Sequence, residues 1–417
     1  MHILIVTQYF WPENFRINDL ALGLLERGNQ VTVLTGVPNY PDGTFFAGYG
    51  HLNRAEEYHG VKVLRVPLLP RGKGGALRLA LNYASFAISA SLAGPLLCRG
   101  SYDVILVYEP SPITVGLPAL LLKNLKSAPL LFWVQDLWPE SLSATGAVKS
   151  GKVLDLVSHL VRFIYRRCDR VLIQAESFFD SVREQGGERE SIVYYPNSAE
   201  SLFTAPLSSS VGMPALPEGF RVMFAGNIGA AQDFETIIAA AEKLRGNQDI
   251  QWVIVGDGRM REWAEAEVKV RGLTGNFHFL GRHPLESMPH FFAAADALLV
   301  TLRKEPIFAM TIPSKIQSYL ACGRPVVAAL DGEGANIIDK ARAGFTCPSG
   351  APGALAEAVL KMYQAPASDR VKMGANGRAY YRENFDRDML IDRLDGWMRE
   401  LAWAKENRHP VAGEGAR

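Results

Sequence analysis

The sequence predicts an α/β protein of two domains, each built on a doubly wound parallel sheet. Short apolar, β-branched runs alternate with amphipathic segments along the chain, as expected for parallel strands joined by crossover helices. These runs fall into two sets, separated by a segment rich in Ser, Pro and Gly. The length of 417 residues fits two domains most easily.

The predicted strands of the first set occupy residues 3–7, 31–35, 61–66, 104–108, 130–134, 171–174 and 192–195. Those of the second set occupy residues 221–225, 252–255, 277–280, 297–302 and 326–329. Strands that are apolar throughout belong to sheets covered on both faces, and such sheets bind ligands beyond the carboxyl ends of their strands. We therefore look for a site in the loops that follow the strands.

The domain boundaries follow from these two sets. We expect a first domain over residues 1–203, a linker over 204–219 and a second domain over 220–378. A long helical pattern runs from about residue 368 to 406, and its last part, 379–406, is expected to pack back on the first domain. The tail 407–417, rich in Pro, Gly and Ala, is expected to be disordered.

Composition excludes several classes of protein. With 44 basic and 43 acidic side chains the net charge is +1, which argues against a nucleic-acid binder. The four cysteines have neither zinc-site nor dithiol spacing, so we expect reduced, mostly buried thiols. The chain starts directly with an apolar run and no secretory leader, which favours the cytoplasm.

One segment of the first domain is both apolar and basic. Residues 58–102 contain no acidic side chain but include Lys62, Arg65, Arg71, Lys73, Arg78 and Arg99. Residues 79–98 are uncharged and long enough to span a membrane, but their polar and small residues argue against insertion. We predict instead a helix whose leucine-rich face lies on anionic lipid, with Arg71, Lys73 and Arg78 as the basic patch. The alternative is a buried helix followed by a solvated basic loop.

Glycines follow two strands of the second domain. Gly226-Asn227-Ile228-Gly229 and Gly256-Asp257-Gly258 stand where a backbone approaches a ligand and a helix N-terminus favours phosphate. The second run is not a dinucleotide fingerprint, because Arg261 stands where the last glycine belongs, and this argues against a nicotinamide dehydrogenase. Ordinary strand-to-helix turns are the alternative.

The most informative segment is 305–327. Pro313 suits the start of a helix over about residues 314–321, which ends at Gly323. Ser314 and Lys315 then stand beside free backbone N–H groups at the positive end of the helix dipole, so the segment predicts a diphosphate site. In the alternative interpretation Lys315 is an ordinary solvated lysine.

The same segment carries a family resemblance. Pro-Ser-Lys, then Tyr-Leu-Ala-Cys-Gly and Arg-Pro-Val-Val, resembles the donor-site segment of retaining glycosyltransferases of family 4, which have the GT-B fold of two Rossmann-like domains facing a cleft. Residues 28–35 resemble the family's early GHEVTVLT element. Residues 38–41, 136–141, 196–197 and 226–229 resemble the bacterial O-antigen and capsule branch, particularly L-fucosamine transferases. The likeness extends over about residues 1–400.

This resemblance implies a hexosyltransferase of O-antigen, capsule or exopolysaccharide synthesis. Its first domain would bind an acceptor saccharide on polyprenyl diphosphate at the inner face of the cell membrane, and its second a UDP- or GDP-sugar, with no cofactor. The donor-binding residues would be Gly226, Asn227, Gly229, Gly256, Gly281, Arg282, Phe308, Pro313, Ser314, Lys315 and Ser318.

The sequence departs from the family in two respects. Family members commonly carry two glutamates separated by seven residues, but Met310 and Ser318 occupy the aligned positions here, so Glu305 is expected to face the donor sugar. The segment after Gly226 has Ala230, Ala231 and Gln232 where the family has a basic pair. Lys315 must then carry more of the positive charge, helped by Arg282 or by Arg16 of the first domain.

Asp136, Glu305 and Lys315 are the predicted catalytic residues. Asp136 follows the strand 130–134, where a carboxylate can orient the acceptor hydroxyl or take its proton. Trp138 would pack against a sugar, and Arg16 and Glu140 also belong to the acceptor side. Alternatively, Asp136 or Ser141 is a helix N-cap. The Asp-Arg-Asp triplet at 386–388 follows no strand and is interpreted as solvated surface, so we expect no metal requirement.

Two other functions remain open from the sequence. A sugar-nucleotide epimerase uses the same two-domain fold, but it needs acid–base carboxylates and a histidine clustered in the cleft. A non-catalytic sugar-nucleotide sensor needs binding alone.

Overall fold

The computed structural model describes residues 1–50, 54–72, 75–144, 148, 150–206 and 213–408, without the side chains of residues 54, 144, 406 and 408. The chain divides into two compact units, Met1–Pro196 with Asp388–Arg417, and Asn197–Arg387. The first boundary precedes the expected residue 203, because the Phe203 ring stacks on Phe292 of the second unit at 5.5 Å. Within the expected linker, residues 207–212 lie outside the described residues, as do residues 409–417 of the tail.

The first unit is built on an eight-stranded sheet in the order β3-β4-β2-β1-β5-β6-β7-β8. Its strands are β1 His2–Val6, β2 Gln30–Gly36, β3 Arg54–Tyr58, β4 Val61–Val66, β5 Val104–Glu109, β6 Leu130–Val134, β7 Arg170–Ile173 and β8 Ile192–Tyr194. All neighbours are parallel except β3, which is antiparallel to β4. The sequence did not predict β3, because this polar edge strand lacks the apolar run of a strand covered on both faces.

Six helices connect these strands: α1 Arg16–Glu26, α2 Ala76–Leu97, α3 Gly116–Lys126, α4 Glu140–Ala144, α5 Gly151–Tyr165 and α6 Phe178–Glu184. Helix α2 packs on the sheet through Phe86, Ala90 and Gly94, which are fully or almost fully buried. A Cβ atom at Gly94 would come within 3.1 Å of Leu34, so the small residue permits close helix-to-sheet packing.

The second unit is built on a six-stranded parallel sheet in the order β11-β10-β9-β12-β13-β14. Its strands are β9 Phe220–Ala225, β10 Ile250–Val255, β11 Phe277–Gly281, β12 Ala297–Thr301, β13 Val326–Ala329 and β14 Gly344–Cys347. Its helices are α7 Phe234–Lys243, α8 Arg261–Val270, α9 Met288–Ala294, α10 Pro306–Met310, α11 Lys315–Cys322, α12 Glu333–Ala341, α13 Pro352–Gln364 and α14 Ala367–Asn384. The sequence did not predict the short edge strand β14 or helix α10.

The C-terminal helix α15, Arg387–Arg408, belongs almost entirely to the first unit. The long helix expected over residues 368–406 is therefore two helices, α14 and α15, separated at Phe385. Buried side chains of α15, among them Leu394 and Met398, share a core with Ile17 and Leu20 of α1. Arg27 forms ion pairs with Asp388 at 3.1 Å and Asp392 at 2.7 Å, so Asp388 is a partner in packing as well as a surface residue.

We predict that Leu394→Ala destabilises the first unit by about 2–5 kcal/mol, because it leaves a cavity where a fully buried side chain packs against α1. Urea unfolding followed by tryptophan fluorescence measures the change. Val371→Ala is the matched control, since Val371 is an exposed side chain on α14, and it should shift the free energy by no more than about 0.5 kcal/mol. Equal stability of the two variants would contradict this packing.

Candidate active site

Three predicted donor-binding glycines meet at the carboxyl edge of the second sheet. Gly226, Gly256 and Gly281 end the neighbouring strands β9, β10 and β11 with φ values of +134°, +140° and +78°. The N–H of Gly256 donates to the Gly281 carbonyl at 2.7 Å. A Cβ atom at Gly256 would lie 1.9 Å from the Gly226 carbonyl oxygen, so no larger residue fits there.

The two glycine loops are also bonded to each other. Ile228 N–H donates to the Asp257 carbonyl at 2.9 Å, and Met260 N–H donates back to the Ile228 carbonyl at 2.9 Å. Asn227 is exposed beside this pairing, and Gly229 begins a short 3-10 turn. The loops therefore form one bonded backbone surface rather than two independent turns.

Lys315 points into this surface. Its Nζ atom lies 3.7 Å from the centroid of the Phe224 ring in β9, and a Cβ atom at Gly226 would lie 3.3 Å from Nζ. The Nζ atom is buried and has no hydrogen-bond partner in the described part of the chain. Burial lowers the pKa of Lys315 to about 7. The interpretation of Lys315 as a solvated surface lysine is therefore wrong.

Helix α11 fixes the position of this lysine. It begins at Lys315 and ends before Gly323, one residue later at each end than predicted. The Tyr319 hydroxyl accepts from the Ala225 N–H at 3.2 Å and donates to the Leu299 carbonyl at 3.3 Å. Because Ala225 and Leu299 belong to adjacent strands, one side chain of α11 holds its start against the strand ends.

Other predicted donor residues lie around this edge with different exposures. Glu305 stands before α10, and its carboxylate makes no hydrogen bond or ion pair with a described residue. Arg282 is exposed directly after Gly281, and Phe308 and Pro313 are half-buried. Ser314 is exposed at the start of α11, whereas Ser318 is only 5% exposed inside the helix packing.

In the first unit, Asp136 follows β6 at the carboxyl edge of its sheet. The Ser141 hydroxyl donates a hydrogen bond to the Asp136 carboxylate. Helix α4 begins at Glu140, and the Ser141 N–H donates to the Leu137 carbonyl at 2.9 Å, so neither Asp136 nor Ser141 acts as its N-cap. Burial raises the pKa of Asp136 to about 6.

The other residues predicted on the acceptor side are Trp138, Glu140 and Arg16, and their surroundings differ. The Trp138 ring is 7% exposed and packs edge-on to Tyr83 at 6.2 Å, so its face is not open for stacking on a sugar. A Glu140 carboxylate oxygen accepts a hydrogen bond from the Ser181 hydroxyl at 2.7 Å. Arg16 is half-buried as the first residue of α1.

Sequence reasoning missed two buried carboxyl groups at this edge. Glu13 accepts hydrogen bonds from the N–H groups of Asn39 at 2.8 Å and Tyr40 at 2.7 Å, and burial raises its pKa to about 7. Glu109 ends β5 fully buried, and burial raises its pKa well above the usual range. Glu109 could have been recognised from the sequence, because a carboxylate directly follows the apolar run of β5.

Both halves of the chain match families of known proteins. Residues 14–198 match the "Glycosyl transferase 4-like domain" and residues 219–365 match "Glycosyl transferases group 1". A probable glycosyltransferase from Pseudomonas aeruginosa, WbjE, is 27% identical over 80% of this chain and 81% of its own length. The putative colanic acid biosynthesis glycosyl transferase WcaI of Escherichia coli K12 is 26% identical over 78% of this chain and 82% of its own.

The fold has solved counterparts. The crystal structure of HepE from Anabaena in complex with UDP matches with a TM-score of 0.68 and 16% identity, covering 96% of this chain and 100% of that chain. The chain is a glycosyltransferase of the GT-B fold. The expected fold, enzyme class and resemblance to family 4 are thereby confirmed.

Helix α2 of the glycosyltransferase has an exposed apolar side. Leu77 is 75% exposed and Leu92 is 72% exposed, and the apolar row also includes Leu81, Ile88 and Leu96. By length and hydropathy α2 is the one helix of the described chain that could cross a membrane, but 28% of its most apolar window is buried inside the unit. Helix α2 is thus buried on one face and exposed on the other, so the alternative of a buried helix describes only its sheet-facing side.

The basic residues predicted beside α2 differ in exposure, so they do not form one solvated patch. Arg65 is completely buried, pairs with Glu56 and donates to the Gly36 carbonyl at 3.0 Å. Arg71 is half-buried over tyrosine rings, and Lys73 lies outside the described residues. Of the predicted patch residues that the structure describes, Arg78 is the one that is exposed.

Among the described residues, no group of three His, Cys, Asp or Glu side chains has the arrangement of a metal site.

We predict that Lys315→Met makes the second unit more stable by about 1–3 kcal/mol at pH 7, because the folded protein no longer buries a cation. The lysine pKa is about 7 when folded and near 10.5 otherwise, so its destabilising effect is full below about pH 7 and fades as the pH rises to 10.5. The gain should therefore shrink at pH 9.5 in urea unfolding. Lys269→Met, at an exposed lysine of α8, is the control, and a gain independent of pH would contradict the buried cation.

Proposed function

We propose that this glycosyltransferase moves a sugar from a nucleoside-diphosphate sugar to a lipid-linked saccharide during assembly of a bacterial surface polysaccharide. The observation that carries the donor half is the buried Nζ of Lys315 beside Gly226, which has no hydrogen-bond partner among the described residues. A buried cation without a partner is costly, and a diphosphate at the adjoining glycine backbone would give it one. The UDP bound to HepE supports the same chemistry.

The reaction breaks the bond between the donor sugar's anomeric carbon and the diphosphate oxygen. Negative charge grows on the leaving diphosphate, and fixed cations and N–H donors at that position lower the barrier. Lys315 supplies the cation and the start of α11 the N–H groups. Arg282, exposed after Gly281, is placed on the same edge to assist.

The acceptor hydroxyl then forms the new bond to the anomeric carbon and gives up its proton. Asp136, with a pKa raised to about 6, is the group we assign to receive or orient that proton. Glu305 has a carboxylate free of partners in the described chain and is assigned to the donor sugar. We propose retention of configuration and no metal requirement, the former from the family resemblance and the latter from the cations that take a metal's place.

Sugar and acceptor are proposed from relatives. The names of WbjE and WcaI, the latter a colanic acid enzyme, support surface-polysaccharide synthesis. N-acetyl-L-fucosamine or a related sugar is the proposed donor sugar, on the resemblance of residues 136–141 and 226–229 to L-fucosamine transferases. UDP and GDP both remain candidate nucleotides.

We also propose that the enzyme works in the cytoplasm on the inner face of the membrane, docked through α2. The exposed apolar row of α2 is flanked at its start by Arg78 and followed by Arg99, which are both exposed. Further exposed leucines lie on α3, which packs against α2: Leu121 and Leu125. Apolar side chains with basic neighbours suit a surface of anionic lipid.

Incubation with UDP- and GDP-sugars, with and without a lipid-linked saccharide, tests the reaction. We expect transfer only with the acceptor, and Lys315→Ala should lower kcat by about 10²–10³-fold because one transition-state donor is lost. Lys269→Ala should leave the rate unchanged. Isomerised donor without acceptor would indicate the epimerase, and donor binding without turnover the sensor.

The pH profile tests Asp136. We expect kcat/KM to fall below about pH 6, because the carboxylate becomes protonated there. Ser141→Ala removes the hydroxyl that stabilises the ionised form, so the acid limb should move to higher pH. Asp136→Asn should cost about 10²–10⁴-fold in rate. An acid limb unmoved by Ser141→Ala would argue against Asp136 as the base.

Flotation with phosphatidylglycerol vesicles tests the docking surface. The triple variant Leu77→Gln, Ile88→Gln and Leu92→Gln should partition at least about tenfold less, because each buried leucine contributes about 1.5–3 kcal/mol when fully desolvated. Val270→Gln with Val371→Gln is the control, since both valines are exposed apolar residues of the second unit. Equal flotation of both variants would rule out α2 as the docking face.

A further inference from the structure

The guanidinium group of Arg71 lies over two tyrosine rings at the carboxyl edge of the first sheet. Its Cζ atom is 5.0 Å from the centroid of the Tyr40 ring and 5.8 Å from that of Tyr9. The Tyr9 ring in turn stacks on Phe15 at 5.0 Å, so the platform under the guanidinium is itself packed. Within the described ranges, the guanidinium has no ion-pair partner and donates no hydrogen bond. Arg71 is therefore an oriented cation with free donors.

Tyr83 of α2 connects Arg71 with the proposed catalytic carboxylate. Its hydroxyl lies 3.2 Å from the Ser111 hydroxyl, in the loop after β5. Burial raises the pKa of Tyr83, the Arg71 charge opposes that rise, and the Asp136 charge adds to it. Ser111 has φ at +145°, a conformation that costs energy in a residue with a side chain. The charges of Arg71 and Asp136 thus both act on Tyr83.

A second donor without a partner lies next to Tyr83. The Trp138 Nε1 atom is buried and has no hydrogen-bond partner among the described residues. Buried indole N–H groups usually find an acceptor, because leaving one unsatisfied costs about 1–3 kcal/mol. Arg71, over the Tyr9 ring, and Trp138, packed against the Tyr83 ring, are thus two donors of the first unit without an acceptor among the described residues. A single anion with several oxygens would satisfy both.

We infer that Arg71, Tyr83 and Trp138 form a subsite for the diphosphate of a prenyl-diphosphate-linked acceptor. A guanidinium fork suits phosphate oxygens, and the stacked rings restrict its rotation. Leu77 and Leu81 are exposed on the first turns of α2, the helix that carries Tyr83, and Arg71 precedes this helix by five residues. The inference rests on the proposed function, because it names the group by which that acceptor is held. It also gives Arg71 a role apart from the basic membrane patch.

Titration with geranyl diphosphate, a soluble prenyl diphosphate, tests the subsite. Saturating UDP is present throughout, so that the donor site is occupied. We expect Arg71→Gln to raise the dissociation constant at least tenfold and Trp138→Phe to raise it about threefold to tenfold. Arg189→Gln, which removes an exposed arginine in the turn before β8, should change it less than twofold. Equal affinity of Arg71→Gln and the unmodified enzyme overturns the inference.

Two further measurements separate this inference from its neighbours. UDP affinity and thermal unfolding of Arg71→Gln should match those of the unmodified enzyme, which excludes loss of fold. Phosphatidylglycerol vesicles without prenyl diphosphate should float Arg71→Gln as well as the unmodified enzyme. If Arg71→Gln floats less well, by a factor similar to its loss of geranyl diphosphate affinity, Arg71 binds lipid headgroups instead. Failure of the unmodified enzyme to bind any nucleoside diphosphate refutes the proposed donor, whereas normal UDP binding with unchanged geranyl diphosphate binding refutes the subsite alone.

Discussion

The donor half of this glycosyltransferase depends on one buried cation. The Lys315 ammonium lies against the Phe224 ring and the backbone of Gly226, and a side chain at residue 226 would crowd it. Tyr319 bonds to two adjacent strands one turn later, so the helix start and the lysine are held together. A cation–π contact recovers part of the desolvation cost, but it does not satisfy the ammonium's three donors. In the free protein this cost favours the neutral amine above about pH 7, and an anionic ligand would favour the ammonium.

The first unit has buried carboxyl groups at its carboxyl edge, whereas the second unit has a buried lysine. Its carboxyl edge holds Glu13, Glu109 and Asp136, whose pKa values are all raised by burial. Such groups accept or hold protons near neutral pH, which suits the side of the reaction that must deprotonate a hydroxyl. In the proposed reaction, the second unit carries a cation for the leaving diphosphate and the first unit carries carboxyl groups for the acceptor. Arg71 and Trp138 belong to the same unit, and the diphosphate subsite inferred above would give both donors an acceptor.

Much of the fold followed from periodicity alone. Central strands such as β1 and β9 are apolar throughout, so the sequence located them, while the polar edge strand β3 and the four-residue β14 left no comparable signal. The glycines at the strand ends were also recognised, since only a special backbone conformation needs them there. The sequence did not show which side chains from separate parts of the chain pack together. Burial of Lys315 depends on a ring in β9, and the buried ion pair of Arg65 depends on Glu56 across a hairpin. For the same reason the Trp138 ring was predicted to pack against a sugar, whereas in the structure it packs against Tyr83.

Calorimetric titration with UDP, and with GDP if UDP fails to bind, tests the central claim most directly. Binding is measured at pH 8 in two buffers of different ionisation enthalpy. Because the pKa of Lys315 is about 7 in the free protein and a bound diphosphate raises it, the enzyme should take up close to one proton per nucleotide. Lys315→Met should bind more weakly and lack that uptake. Tight binding with no proton uptake by the unmodified enzyme would contradict the account.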